Sequence, residues 1–433
     1  MPSDKSQRGL SGFSCLSICA ALIIRLVFMP ITMHSDLLFI HYFPSFLSLH
    51  GVWDVYGYFG DHFLSKGFTY YPPGVYYLTA FFQWTLHALE PGFGPFMEQA
   101  RSLMDRGAET AQYFAPYTTD KVLRLVFWMK LPYLCAEAGC LWLLGKLYPE
   151  RKPEAWNWWL WNPVVLFSTY IFGQYRIFSA FWMFCVLYAV SKNRKREAAL
   201  CLGALCLLEN YALFLLIPSL MALEEKWTGR FRLLGWALFL PVAVLAPLAG
   251  SSQGYVFHSY FSPTIAKVAL QGIFRHFSEW TGPLGKGILA AAFAWALAIL
   301  WKGKGRGYCL FVHVNLGLLF VLYAVSVTTI HYFMWILPLL VVAQLNGPSW
   351  KKGFLAALLT LLFLFNLDSR ALNLGLFLPL GAHFLSYPSF HEWAVGRGLP
   401  WGAVVGGSRL LFSALCLYFA GNIYTQRIRP LLV

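Results

Sequence analysis

The sequence predicts an all-α, polytopic membrane protein, and three observations support this fold class. The 433-residue chain is 58% hydrophobic and only 12% charged, which is about half the charged share of a typical soluble domain. Apolar runs of nearly twenty residues recur along the chain, as helices that span a bilayer require. Stretches such as ALCLGALCLL (199–208) do not alternate polar and apolar residues, unlike the strands of a transmembrane barrel.

About twelve membrane crossings are expected from the apolar runs. These runs lie at about 10–30, 123–147, 154–172, 177–191, 196–208, 210–223, 232–250, 283–301, 307–328, 331–346, 354–367 and 404–424. Arg25 lies within the first run, and no small-residue cleavage site follows it. Both features favour a retained helix over a cleaved signal peptide.

A long segment, 31–122, separates the first two expected crossings. Within it, 37–49 and 74–90 are apolar and helical in pattern but too short to span a bilayer comfortably. We therefore expect amphipathic helices that lie along the membrane interface, and a third, more polar helix over 95–107. A true crossing at 74–90 would put the later basic loops outside, which conflicts with the charge distribution.

The basic residues predict the orientation of the chain. They cluster at the N-terminus and in the short segments GKLYPERK, SKNRKR, KWTGRFR, KGKGR, 351–352 and QRIR. Such clusters mark the cytoplasmic side, so both termini are expected inside and 31–122 outside. This topology also accounts for the net charge of +14 without a nucleic-acid partner. We expect a multi-pass protein of the cell (inner) membrane, with the endoplasmic reticulum as the alternative.

A carboxylate lies where the first helix leaves the bilayer, in PITMHSDLLFIHYF (30–43). Ser35 and Asp36 are both suitable helix N-caps, which is the structural interpretation. The functional interpretation makes Asp36 a general base, reached by a lipid-borne substrate from the membrane and a second substrate from water. The two interpretations are compatible. His34 and His41 flank Asp36 and are candidates to orient it.

Several segments then follow in a characteristic order. They are WDVYGYF (53–59), YYPPGVYYL (70–78), KLPYLCAEAGCLWLL (130–144), WNPVVLFSTYIFGQYRIFSAFW (161–182) and LCLLENYALFLLIPSL (205–220). In this order they resemble the GT-C superfamily of polytopic glycosyltransferases, which use polyprenyl-phosphate-linked sugars. The N-glycan glucosyltransferases and the aminoarabinose transferase of lipid A are similar members. The likeness covers about 10–225 and returns weakly at TTIHYFMWILPLL (328–340).

The resemblance implies a division of labour along the chain. A catalytic transmembrane module would cover 1–225, including the outer loop 31–122, and a variable transmembrane module would cover 226–433. Asp36 would take the proton of an acceptor hydroxyl on a glycan, lipid or protein while that oxygen attacks the anomeric carbon with inversion. The donor lipid is a substrate, and neither a cofactor nor a metal ion is required.

Two positions depart from the family pattern with opposite sign. Arg176 stands where such enzymes carry an acid or amide, and Glu209 stands where they carry a lysine near the donor phosphate. We infer an exchanged ion pair between Arg176 and Glu209, which would serve either the donor phosphate or the fold. Two unrelated charges at helix ends are the alternative, and a non-catalytic relative is a further one.

The remaining candidates are weaker. Possible substrate-binding residues, besides His34 and His41, are Tyr70, Tyr71, Gln174, Tyr175, His258, His331 and Tyr332, and the loop 251–280 could cover the acceptor. Lys130 and Glu137 lie seven residues apart on one helix face, and we expect them to form a structural pair. A transporter or flippase, which would carry inverted repeats and midplane charges, and a membrane O-acyltransferase, which would need a histidine within a helix, are the alternative functions.

Overall fold

The computed structural model describes residues 5–55, 58, 71–105, 116–251, 282–302, 307–326, 329–346, 351–366, 372 and 374–428. Over these ranges the secondary structure is helical and contains no strand. The all-α prediction is therefore confirmed for the described part of the chain.

The first half contains ten helices within its described residues. They are α1 (Lys5–Ile31), α2 (Ser35–His50), α3 (Pro73–Leu89), α4 (Phe93–Asp105), α5 (Thr119–Leu147), α6 (Lys152–Leu160), α7 (Pro163–Phe172), α8 (Arg176–Ser191), α9 (Lys195–Leu208) and α10 (Asn210–Leu223). The last seven residues of α7, Leu166–Phe172, form a π-helix. A short 3₁₀ turn, Pro149–Arg151, joins α5 to α6.

The second half continues with seven helices and several short turns in the residues described. The helices are α11 (Trp227–Ser251), α12 (Gly282–Lys302), α13 (Tyr308–Val325), α14 (Leu337–Leu345), α15 (Lys351–Asn366), α16 (Phe390–Gly396) and α17 (Trp401–Ile423). Three 3₁₀ segments, Ile330–Trp335, Leu374–Leu380 and Ala382–Ser386, and the π-helical Tyr424–Ile428 complete this half.

Four described helices are long and apolar enough to cross a membrane. These spans are Trp227–Leu248, Pro283–Trp301, Tyr308–Val325 and Trp401–Ile428. A fifth is possible if Cys15–Ile31 and Ser35–His50, which meet at 74°, form one bent span. Several apolar helices could thus span a membrane, as expected, but the twelve predicted crossings are not confirmed. Shorter apolar helices of 10–17 residues include α7, α8 and α15.

The junction between α1 and α2 corrects the predicted helix cap. α2 begins at Ser35, and its N-cap is His34, whose Nδ1 accepts a hydrogen bond from the backbone N–H of Asp36. Neither Ser35 nor Asp36 occupies the cap position, so that structural interpretation is wrong. Asp36 instead lies in the first turn, where the helix dipole favours a negative charge.

A second correction concerns the charges inside α1 and α5. Glu137 does not pair with Lys130. Its two carboxylate oxygens accept hydrogen bonds from Arg25 at 2.7 and 2.8 Å, and Tyr170 Oη donates a third bond to it. All three side chains are buried. The expected Lys130–Glu137 pair fails because a guanidinium on α1 satisfies both oxygens of the same carboxylate.

Glycine allows α9 to approach α11 closely. α9 packs against both α8 and α11. A Cβ atom at Gly203 would lie 2.1 Å from the backbone oxygen of Ala237, so the two helices meet backbone to backbone at this point. This contact holds the long apolar helix α11 against the helices of the first half.

Candidate functional site

Two helix junctions meet at the candidate site. The chain leaves α1 through Thr32–His34 and leaves α7 through Gly173–Tyr175. The backbone N–H of His34 donates to the carbonyl of Phe172 at 3.1 Å, which ties the two junctions together. From the second half, the Leu376 carbonyl accepts a hydrogen bond from Met33 at 2.7 Å. Asp36 follows the first segment, Gln174 lies within the second, and their side chains come into contact.

The turn after α7 requires a glycine. Gly173 caps the helix with a φ of +88°, a left-handed conformation that favours glycine. A Cβ atom there would lie 3.3 Å from Leu37 and from Cε of Lys130. The N–H of Gln174 then donates to the Ser168 carbonyl at 2.9 Å. These constraints direct the Gln174 side chain, which is fully buried, toward α2.

Asp36 is held on both sides by polar groups. Gln174 Nε2 donates to Asp36 Oδ2 at 2.5 Å. On the other side, His34 Nδ1 lies 3.1 Å from Oδ1 and 3.2 Å from the backbone nitrogen of Asp36. His34 Nδ1 serves one role at a time. Without a proton it accepts the hydrogen bond from the Asp36 backbone N–H, and with a proton it donates to the carboxylate. The Asp36 side chain keeps 30% of its surface exposed, so it stays accessible.

A cavity of about 170 Å³ opens at this carboxylate. Its lining residues combine aromatic and apolar walls with a few polar groups: His34, Asp36, Phe167, Phe172, Thr329, Ile330, His331, Asn366 and Leu372. The ring of Phe172 lies between two histidines, with His34 stacked at 4.0 Å and His331 at 4.8 Å between ring centroids. Four of the lining residues come before 225 and the other five from 329 onward, so both halves of the chain contribute to the cavity. Such a mixture of apolar walls and convergent polar groups is typical of small-molecule sites.

Arg176 and Glu209 face each other behind this cavity. Arg176 Nε lies 3.7 Å from Glu209 Oε1, and only 4% and 3% of the two side chains are exposed. Ser179 Oγ also donates to Glu209 Oε1, at 2.9 Å. Arg176 Nη1 donates to Gln174 Oε1 at 2.7 Å, so the arginine orients the amide that holds Asp36. Arg176 does not line the cavity, and this favours the structural role for the pair over direct phosphate binding.

Aromatic side chains enclose the guanidinium. Arg176 lies 4.2 Å above the ring of Tyr332 and 5.3 Å from that of Tyr175. Tyr71 packs edge-on against Tyr175 with a centroid distance of 5.5 Å. Burial, with a smaller contribution from the Asp36 charge, raises the pKa of the Tyr71 phenol above its usual range. Tyr71 therefore stays neutral at neutral pH and close to the carboxylate.

The structure gathers most of the predicted site residues but not all of them. His41 is fully buried on α2, and its Nε2 lies 3.2 Å from the Met129 carbonyl. The prediction that His41 orients Asp36 is therefore wrong, because the ring faces α5. Tyr70, His258 and most of the loop 251–280 lie outside the described residues.

Sequence reasoning missed Thr329, Asn366 and Phe172 as cavity residues. Phe172 lies next to the Gly173–Gln174 turn, so its proximity could have been inferred from that motif. Thr329 and Asn366 carry no local signal, because their closeness to Asp36 depends on packing between the two halves.

In the described part of the chain, no group of three or more histidine, cysteine, aspartate or glutamate side chains could hold a metal ion. The chain matches no protein-family model, and neither a curated protein nor a solved structure matches it.

Proposed function

We propose that the chain is a membrane-embedded inverting glycosyltransferase, which moves a sugar from a polyprenyl-phosphate donor to a hydroxyl acceptor with Asp36 as the general base. The observation that carries this proposal is the Asp36 carboxylate at the edge of a cavity, oriented by the buried amide of Gln174. A base fixed at a cavity, next to helices that could span a membrane, suits a reaction between a lipid-borne and a second substrate.

In the proposed reaction, the acceptor oxygen attacks the anomeric carbon while its proton passes to Asp36. The bond from that carbon to the phosphate oxygen breaks, and polyprenyl phosphate leaves with the electron pair. Because Gln174 already donates to Oδ2, the proposal assigns proton transfer to Oδ1, in the state in which His34 Nδ1 accepts from the Asp36 backbone and does not donate to this oxygen. A positioned general base contributes about 10²–10⁴-fold to such a step.

Gln174 can hold Asp36 in only one orientation of its amide. Its Oε1 accepts from Arg176, so its Nε2 must face Asp36. The Arg176–Glu209 pair therefore acts on the base through Gln174 rather than on the donor itself. This arrangement gives the exchanged charges a role in the proposed reaction without contact to the phosphate.

The size of the cavity constrains how substrates would occupy it. Its volume of about 170 Å³ is below the roughly 300–1,000 Å³ of pockets that enclose drug-sized ligands. The proposal therefore puts the reacting sugar and hydroxyl in the cavity and leaves the prenyl chain among lipids. The aromatic ring of Phe167, which lines the cavity, offers a surface for an apolar sugar face.

Native mass spectrometry of the gently solubilised protein tests the donor class. We expect a bound mass that matches a polyprenyl phosphate, with or without one sugar. Asp36→Asn should retain that lipid but lower sugar transfer by at least about 10²-fold, the lower bound for loss of a general base. Asp120→Asn is the matched control, since Asp120 is also a first-turn carboxylate but lies on the exposed start of α5.

Three outcomes would count against the proposal. Equal transfer by Asp36→Asn and the parent protein would remove Asp36 from the reaction. Retention of only bulk phospholipid, with no binding of added polyprenyl phosphate, would exclude this donor class. Binding of the sugar lipid without transfer by the unaltered protein would support a flippase or a non-catalytic relative instead.

A further inference from the structure

Lys130 is a buried amine that the proposed reaction does not use. It lies in the middle of α5 with none of its surface exposed. Its Nζ donates to the carbonyl oxygens of Thr32 and Tyr170, the latter at 2.5 Å, and lies 3.4 Å from Thr32 Oγ1. All three are neutral oxygens, and no carboxylate partner of Lys130 is found among the described residues.

The two carbonyl groups belong to the ends of two different helices. Thr32 directly follows α1, and Tyr170 lies in the last turn of α7. Carbonyl groups at helix C-termini lack intrahelical partners, and the helix dipole gives these ends a partial negative charge. One ammonium group therefore stabilises both ends at once. Thr32 Oγ1 lies between the two helices, 2.7 Å from the Phe28 carbonyl and 3.0 Å from the Tyr170 carbonyl, and its single hydrogen is shared between these two acceptors.

The site residues follow these two bound carbonyls at the same spacing. Asp36 lies four residues after Thr32, and Gln174 lies four residues after Tyr170. The stem of Lys130 also packs beneath Gly173, at 3.3 Å from the position a Cβ atom would take. Any separation of the two helix ends would be transmitted through only a few residues to the Asp36–Gln174 hydrogen bond.

We propose that Lys130 is a positioning residue whose ammonium group ties the C-terminal ends of α1 and α7 together and thereby sets the Asp36–Gln174 contact. Its catalytic consequence rests on the proposed function, but the tie itself does not. Lys130 holds backbone rather than substrate, so its removal loosens the two junctions and leaves the cavity walls chemically unchanged.

Hydrogen–deuterium exchange tests the tie without any activity. The reporters are two backbone N–H groups. That of His34 bonds to Phe172 across the two junctions, and that of Gln174 bonds to Ser168 within the turn that ends α7. In Lys130→Met, we expect exchange in the peptides that contain these two groups to rise about tenfold, the factor for loss of one charge-assisted hydrogen bond. Exchange in α9 and α10 should stay unchanged.

Two further variants separate positioning from general packing. Lys130→Arg keeps a cation that can donate to both carbonyls and should restore most of the protection. Gln83→Met is the matched control, because Gln83 is equally buried and also donates to a backbone carbonyl, that of His41, away from both junctions. It should leave the His34 and Gln174 peptides protected.

Unchanged exchange of both peptides in a folded Lys130→Met would overturn the proposal, and so would a rise of equal size along the whole chain. If Lys130→Met does not fold, Lys130→Gln replaces it, since its amide nitrogen is uncharged and ends one bond closer to the backbone than Nζ, too short to bridge both carbonyls. Protection in Lys130→Gln equal to that of the parent protein would then refute the tie.

Transfer kinetics distinguish failure of this proposal from failure of the proposed function. Where the parent protein transfers sugar, Lys130→Met should lower kcat with little change in KM, because Lys130 does not line the cavity. Lys130→Arg should recover most of the lost rate. A change confined to KM would contradict positioning. Absence of transfer by the parent protein would refute the glycosyltransferase and leave the exchange result to decide on Lys130.

Discussion

Removal of one charge from the Arg176–Glu209 pair tests whether burial makes this contact important to the fold. Glu209→Gln keeps the shape of the side chain and an oxygen that can accept from Ser179, but it leaves Arg176 without its counter-charge. Both side chains are at least 96% buried. Solvent therefore cannot replace the lost carboxylate.

The expected magnitude follows from the distance between the charges. At the 3.7 Å between Arg176 Nε and Glu209 Oε1, two unit charges attract by about 4 kcal/mol at an effective dielectric constant of about 20. The amide of the variant costs less to bury than the Glu209 carboxylate, and this offsets part of the loss. We expect the free energy of unfolding to fall by about 3 kcal/mol, at the lower end of the values for broken buried pairs.

Glu154→Gln is the control for this prediction. Arg151 lies only 2.7 Å from Glu154, a shorter distance than in the buried pair, but the two side chains are 47% and 44% exposed. Water and salt screen such a pair, so its loss should cost about 0.5 kcal/mol. The comparison therefore separates the effect of burial from that of distance.

The free energy of unfolding of both variants can be measured in detergent micelles by titration with a denaturing detergent. The double variant Arg176→Met/Glu209→Met should be more stable than Glu209→Gln, because it leaves no unpaired charge inside the protein. Equal losses in Glu209→Gln and Glu154→Gln would refute the reasoning. A double variant less stable than Glu209→Gln would also refute it.

Two glycine replacements give further predictions. Gly203→Ala should lower the free energy of unfolding by about 1–3 kcal/mol through overpacking, since its Cβ atom would meet the Ala237 backbone. Gly235→Ala, with open space around it, should be neutral or slightly stabilising in the same denaturing-detergent titration. Gly173→Ala should reduce both stability and sugar transfer, whereas Gly51→Ala, with a similar positive φ but no neighbour within 4 Å, should reduce stability alone, by about 1–2 kcal/mol. Equal stability of Gly203→Ala and Gly235→Ala, or equal sugar transfer by Gly173→Ala and Gly51→Ala, would contradict the assigned contacts.

Local sequence patterns were sufficient for the helices. Apolar runs such as 232–250 and 404–424 became α11 and α17, because the period of a helix and the length of an apolar run are properties of neighbouring residues. The twelve predicted crossings are not confirmed, since several runs form helices of only 10–17 residues, shorter than the roughly 20 residues of a typical span. Apolar runs therefore predicted where helices form better than they predicted which helices could span a membrane.

The contacts of the charged residues could be predicted only in part. The departures of opposite sign at 176 and 209, inferred from the sequence resemblance alone, predicted two charges that face each other, and their side chains do so. Within α5, periodicity put Lys130 and Glu137 on one face, yet each found its partners on other helices. A helix face determines which residues point the same way, but not which neighbouring helix supplies the closer partner.

The sequence by itself determined the helical class, the apolar character and the acid at the start of α2. These depend on composition and on patterns within about twenty residues. Only the tertiary structure decided that Gln174 holds Asp36 across 138 positions of the chain and that Arg25 holds Glu137 across 112. Such distant pairs are selected by how whole helices pack, where burial requires each polar group to find a partner wherever the fold provides one.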